Sequence, residues 1–171
     1  MLRKYLGLGA AAIMLATVQP ALANEPLDPV KAVMEVTAKG KAEYFDPDSL
    51  MALYSVAFTR DLVAAVLKMK ANDEQMFLGF EPVIGGQDNC PVKNVSYKAG
   101  PQKGNRLTVR VEFSAFYCMG NKAKSKVDFD LVQEGVGDPA PWYFVDDIRH
   151  IGEDGKTALS LRQQFKELAG N

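Results

Sequence analysis

The chain has 171 residues, 47 % of them apolar and 24 % charged, with 20 basic against 21 acidic side chains. That balance suits one globular domain and excludes a nucleic-acid binder, which needs a basic face, or a polybasic membrane tether. Two cysteines and one histidine are too few for a structural zinc site, which takes about four such ligands.

Met1-Leu2-Arg3-Lys4 is a short positive stretch, Tyr5 to Val18 is apolar apart from small residues and Thr17, and Pro20-Ala21-Leu22-Ala23 ends small-x-small. In that order the three parts predict a cleavable secretory signal peptide over 1–23. The run is shorter than the roughly 20 apolar residues of a membrane span, so no anchor is expected after cleavage. Cutting after Ala23 leaves a single domain of 148 residues, 24–171; without Arg3 and Lys4 the basic residues fall to 18 against 21, a formal charge of −3. The expected address is the bacterial periplasm. In that oxidising compartment Cys90 and Cys118 are expected to pair, closing a loop of about 28 residues.

Asp28-Pro29 reads as a helix start, Asp as the cap and Pro at the first helical position, where its missing N–H costs nothing. Val30, Val33, Met34 and Thr37 follow at helical spacing, and Gly40 is the stop. Asp48 is expected to cap a short helix through Tyr54. Thr59 is expected to cap a third, to Met69, whose apolar face is Leu62, Val63, Val66, Leu67 and Met69. Lys68 and Lys70 complement its C-terminal dipole. Met76 to Pro82 is apolar but broken by Gly79 and Pro82, a loop that packs, and Gly85 to Asn89 is turn-rich.

From there the period is two. Leu107, Val109, Val111 and Phe113 alternate with polar residues, as do Val127, Phe129 and Leu131. Strands are predicted at 92–98, 106–118, 124–133 and 142–150, joined by hairpin-like links. If the first two are antiparallel neighbours, the Cys90–Cys118 pairing is geometrically open. Ser160 and Gln163 have capping-box spacing for a terminal helix that docks through Leu161, Phe165 and Leu168. The predicted class is α+β: N-terminal helices packed on an antiparallel sheet of about four strands, with a C-terminal helix.

Three segments carry a resemblance: Pro82-Val83-Ile84-Gly85-Gly86-Gln87-Asp88, Trp142 followed by Val145-Asp146-Asp147-Ile148, and Ser160-Leu161-Arg162. In order and spacing, over Val30 to Leu168, the chain resembles an uncharacterised family of secreted bacterial proteins in the nuclear-transport-factor-two-like, cystatin-like superfamily. The resemblance implies a curved sheet wrapped around a conical pocket that the helices close. It implies no single activity, because that superfamily hosts isomerases, dehydratases, transport factors and binding modules. The gap from Trp142 to Val145 departs from strict alternation and points to a bulge.

The candidate chemistry centres on 142–150. Unbroken alternation puts Trp142, Phe144, Asp146, Ile148 and His150 on one face, with Asp146 desolvated among apolar neighbours. A one-residue bulge turns Asp147 inward instead. The resemblance offers the inward carboxylate as a general base. The plainer readings are a solvated side chain, an ion pair with Arg110 or Arg149, or a cap on the next turn. His150 is an acid, a base or a pH switch, or else an exposed residue at a strand end. Tyr44, Tyr54, Phe58 and Trp142 line a ligand pocket or belong to the core. No Gly-x-Ser-x-Gly elbow and no phosphate loop are present, so no cofactor and no metal are expected. Two functions remain. One is a non-catalytic periplasmic module, monomer or homodimer, for a small apolar ligand or a periplasmic protein. The alternative is a cofactor-free, isomerase- or dehydratase-like enzyme using Asp146 or Asp147. An enclosed cavity with a desolvated carboxylate facing a Tyr or Trp favours the enzyme; an interior filled by side chains favours the module.

Overall fold

The computed structural model describes residues 25–40, 44–73, 78–135 and 142–170. The signal peptide expected at 1–23 lies outside the described residues. Three helices come first, α1 (Asp28–Ala38), α2 (Pro47–Leu53) and α3 (Val56–Ala71). Strands β1 (Lys93–Ala99), β2 (Arg106–Ser114), β3 (Ser125–Glu134), β4 (Trp142–Ile151) and β5 (Thr157–Ser160) follow, and α4 (Leu161–Ala169) closes the chain. The strands form one open sheet in the order β1-β2-β3-β4-β5, with every neighbouring pair antiparallel. The fold is therefore α+β, with five strands where about four were expected. The fifth pairs Arg149 with Ser160 and Ile151 with Thr157. At four residues, two of them polar, it is too short to show a period.

The helix starts differ from expectation in instructive ways. Leu27 takes the cap position of α1, and Asp28 and Pro29 form its first turn. Asp46, not Asp48, caps α2 by accepting the N–H groups of Asp48 and Ser49 at 3.0 and 3.1 Å. Ser55, not Thr59, caps α3, its hydroxyl accepting the Phe58 N–H at 3.0 Å. Starting α3 four residues earlier lets Phe58 and Leu62 enter the core one turn apart. Of the apolar face expected for α3 only Leu62 and Met69 are buried; Val63, Val66 and Leu67 point to solvent.

The two clearest strands keep their alternation. Leu107, Val109, Val111 and Phe113 of β2 stand inward beside Val127, Phe129 and Leu131 of β3. β2 ends at Ser114 rather than 118, and Cys118 sits in a short 3-10 turn, Tyr117–Met119. β4 carries a bulge, just beyond the Trp142–Val145 gap that pointed to one: Asp147 pairs with Asp130 and Val145 with Leu131, leaving Asp146 as the extra residue. The bulge resets the parity, so Val145 and Ile148 both face the core and are fully buried. The shared face expected for Trp142, Phe144, Asp146, Ile148 and His150 does not exist, and Asp147 is not turned into the core.

One core joins these rows to Val30, Val33 and Met34 of α1, Phe58 and Leu62 of α3, and Leu161 and Phe165 of α4. On the other side of the strands, Arg110 grips Asp128 with two bonds of 2.6 and 2.8 Å, and Arg149 grips Asp130 with two more of 2.6 and 2.8 Å. Thr108 donates to Asp130 at 2.6 Å. Paired charges of this kind let Asp128 be buried without an uncompensated charge.

Cys90 and Cys118 form a disulfide with Cα atoms 5.9 Å apart, and the Cys90 N–H donates to the Ala115 carbonyl at 2.7 Å. A buried disulfide is consistent with an extracellular or periplasmic protein. No helix among the described residues is long and apolar enough to cross a membrane. Replacing both cysteines by alanine is expected to cost about 2–4 kcal/mol, because the bond restrains the unfolded chain. Urea unfolding midpoints of the double variant and the parent check this.

Candidate functional site

The carboxylates at the β4 bulge are fully engaged. Asp146 is only 2 % exposed. Its Oδ1 accepts the Ser55 hydroxyl at 2.7 Å, and its Oδ2 accepts Arg106 at 2.8 Å and Arg162 at 2.9 Å. Ser55 also anchors its own backbone, its N–H donating to the Val145 carbonyl at 2.9 Å. Arg162 turns its other two nitrogens onto Asp61 of α3, at 2.9 and 2.8 Å. Burial pushes the Asp61 carboxyl up, but Arg162 and Arg60 outweigh it and hold it below the usual range.

Asp147 accepts the Ser160 hydroxyl at 2.7 Å and the N–H groups of Ile148 and Arg162 at 2.8 and 3.1 Å. It therefore caps α4 together with Ser160, whose hydroxyl accepts the Gln163 N–H at 3.1 Å. The Gln163 side chain turns instead to Glu167, at 2.9 Å. The expected capping box is thus half made, and Asp147 adds a different cap by accepting the Arg162 N–H in the first turn. Burial raises the Asp147 pKa against these donors. Arg110 and Arg149, the partners expected for this pair, belong to Asp128 and Asp130. A general base needs a lone pair open to a substrate proton. The Asp146 oxygens already receive three donors, so the geometry is that of a structural anchor.

His150 is half-buried, not an exposed strand end. Its Nε2 lies 2.9 Å from the Pro82 carbonyl, which can only accept, so Nε2 carries the proton. The ring stands edge-on to Phe80 with centroids 6.4 Å apart. Gly85 makes room for it: a Cβ there would lie 2.6 Å from Nδ1, at a backbone φ of +77°. Burial lowers the His150 pKa, so the neutral ring is the folded form.

Tyr44, Tyr54 and Phe58 are core residues. Tyr54 stacks on Phe58 at 4.6 Å, and Phe58 meets Phe165 edge-on at 5.4 Å. Trp142 is apart from them, 47 % exposed at the start of β4. Sequence reasoning missed Glu81. Its Oε2 accepts the N–H groups of Val83 and Ile84, and the Tyr44 hydroxyl lies against it. Glu81 Oε1 and the Tyr54 hydroxyl are buried and find no hydrogen-bond partner among the described residues. Burial raises the pKa of Glu81 and of both tyrosines. The available signal was one acidic residue within the apolar run Phe77-Leu78-Gly79-Phe80-Glu81-Pro82.

The outward side of α2 and α3 has a different character. Met51 and Val56 are 74 % exposed, Leu67 61 %, Val63 45 % and Val66 42 %. Met51, Val56 and Val63 border an open groove of about 550 Å³ whose lining also includes Leu50, Tyr54 and Phe144, with Arg60 and Glu134 as its charged members. A second groove of about 270 Å³, lined by Phe45, Leu62, Val66 and Leu67, shares Leu50 and Val63 with the first. Glu134 also holds the start of α3, both its oxygens lying 3.2 Å from the Val56 N–H.

No family model, curated protein or solved structure matches the chain. The reading of its function therefore rests on the geometry described above.

Two outcomes follow. Asp146→Asn is expected to lose about 3–5 kcal/mol of stability, as breaking a buried ion pair does; chemical denaturation measures it. His150→Gln keeps an N–H for Pro82 and tests the histidine. With its folded pKa below an unfolded value of about 6.5, His150 contributes stability that is full above that pH and is lost as pH falls through the folded value. The variant should lose less stability than the parent between about pH 7.5 and 5. Equal losses in paired urea titrations would contradict the assignment.

Proposed function

We propose that the protein is a non-catalytic interaction module of the periplasm, reached through the cleavable signal peptide. Its binding surface is the apolar groove on the outward side of α2 and α3. One observation carries the reading. The interior between helices and sheet is filled by Phe58, Phe113, Phe129 and Phe165, all fully buried, while five large apolar side chains along two adjoining grooves, Met51, Val56, Val63, Val66 and Leu67, face solvent. Single exposed hydrophobics are ordinary, but a contiguous set marks a contact surface. The cone-shaped, nuclear-transport-factor-two-like architecture belongs to the same proposal. Helices packed against one side of an antiparallel sheet support it, with the inside of the cone serving as core.

A protein partner suits this surface better than a small ligand. The two grooves run side by side along α3, whose 16 residues span about 24 Å. They are open rather than enclosed, and in the first of them Arg60 and Glu134 sit among the apolar residues, as at the edge of a protein interface.

A photo-crosslinking amino acid at position 63 tests the reading in exporting cells, with position 98 on β1 as control. Protein adducts are expected from position 63 and none from position 98. An absence of protein adducts from position 63 would contradict the proposal.

A further inference from the structure

The arrangement of α3 is self-complementary, and we infer that the groove's partner is a second copy of this chain, packed antiparallel about a two-fold axis at Val63. The inference rests on the interaction-module reading above and names its partner. The exposed stripe of α3 is Val56, Arg60, Val63, Leu67 and Lys70, at i, i+4, i+7, i+11 and i+14. These positions are nearly symmetric about Val63. An antiparallel second helix therefore sets Val63 against its own counterpart and Val56 against Lys70 of the second copy. It also sets Arg60 against Val66 and Thr59 against Leu67 of the second copy. The centre of the contact is aliphatic, and the long stems of Arg60 and Lys70 cover apolar neighbours while their charges reach the edge.

Charge selects the direction. Glu134 sits at the N-terminal end of the stripe, held on the Val56 N–H. Lys70 lies in the last turn, at the other end. Antiparallel packing brings each Lys70 toward the Glu134 of the other copy, two pairs per dimer, and opposes the two helix dipoles favourably. Parallel packing would set Glu134 beside Glu134 and Lys70 beside Lys70. Met51 of α2 extends the apolar area beyond α3. The area available is one helix face and its flank, at the small end of specific interfaces, so the dimer is expected to be concentration-dependent.

Sedimentation equilibrium on the mature protein, from low micromolar to about 1 mM, reads the association directly. The expected result is a monomer–dimer equilibrium that Val63→Lys abolishes. Lys70→Glu should weaken it by about five- to tenfold, since two surface pairs are lost per dimer, and the added Glu134→Lys exchange should restore it. Circular dichroism melts confirm that each variant folds. Val63→Cys should oxidise to a covalent dimer, because a residue on the axis meets itself.

A monomer throughout the concentration range would overturn the inference. So would a dimer indifferent to Val63→Lys and to the charge exchange, which would have to form elsewhere. If the protein is monomeric while position 63 still crosslinks to a different protein, the second copy is wrong and the interaction surface stands. If position 63 crosslinks to nothing, both fail.

Discussion

Arg162 is the residue on which the arrangement of helices on the sheet depends. Its guanidinium joins Asp61 of α3 to Asp146 of the β4 bulge, and its backbone N–H is held by Asp147. A guanidinium in a largely buried place is tolerated only with anionic partners that match its donors, and here two carboxylates supply them. The requirement explains local features that otherwise look unrelated. The bulge places an aspartate off the regular ladder. Ser55 caps α3 while donating to the same aspartate. Asp147 fixes the first turn of α4. With those three positions set, Phe165 of α4 meets Phe58 of α3, and the aromatic cluster closes over the sheet.

That use of the carboxylates bears on function. Asp146 and Asp147 are the acidic residues whose setting at first suggests proton transfer, yet their oxygens hold the fold together. Among the described residues, Glu81 is the part-buried acid with an unsatisfied oxygen, and it is tied into its own loop by two backbone N–H groups. The chemistry of the interior is therefore that of a packed core with polar joints. The outward side of α2 and α3 is the opposite: aliphatic, open, and fringed by one acidic and several basic groups. Phe58, Phe113, Phe129 and Phe165 lie in the core, while Met51, Val56, Val63, Val66 and Leu67 are left facing water.

Much of the fold was legible because its signals are local. Alternation in β2 and β3 survives intact, since a strand with one buried face cannot shift by a residue without exposing its whole apolar row. The Cys90–Cys118 bond followed from the pairing of the first two strands. What was not legible depended on choices between neighbours of similar chemistry. Ser55 and Thr59 are both competent caps, as are Asp46 and Asp48, and only tertiary contacts decide between them. α3 carries aliphatic residues on two sides, so periodicity alone could not say that Val63, Val66 and Leu67 face out. The β4 bulge was suspected one step early, from the Trp142–Val145 spacing, and of the readings left open for Asp147 the structure shows the cap, because the carboxylate answers to the start of α4. Glu81 and the close approach of Gly85 to His150 arise from packing between segments far apart in the chain, which no local pattern records.

A double-mutant cycle between Asp146 and Arg162 tests the central claim most directly. Asp146→Asn, Arg162→Met and the double variant would be compared with the parent by urea unfolding at neutral pH. If the Arg162 bridge holds the helices to the sheet, the two changes are strongly coupled, with an interaction energy of about 2–3 kcal/mol. Losses that add to within about 0.5 kcal/mol would contradict the account, since independent residues behave in that way.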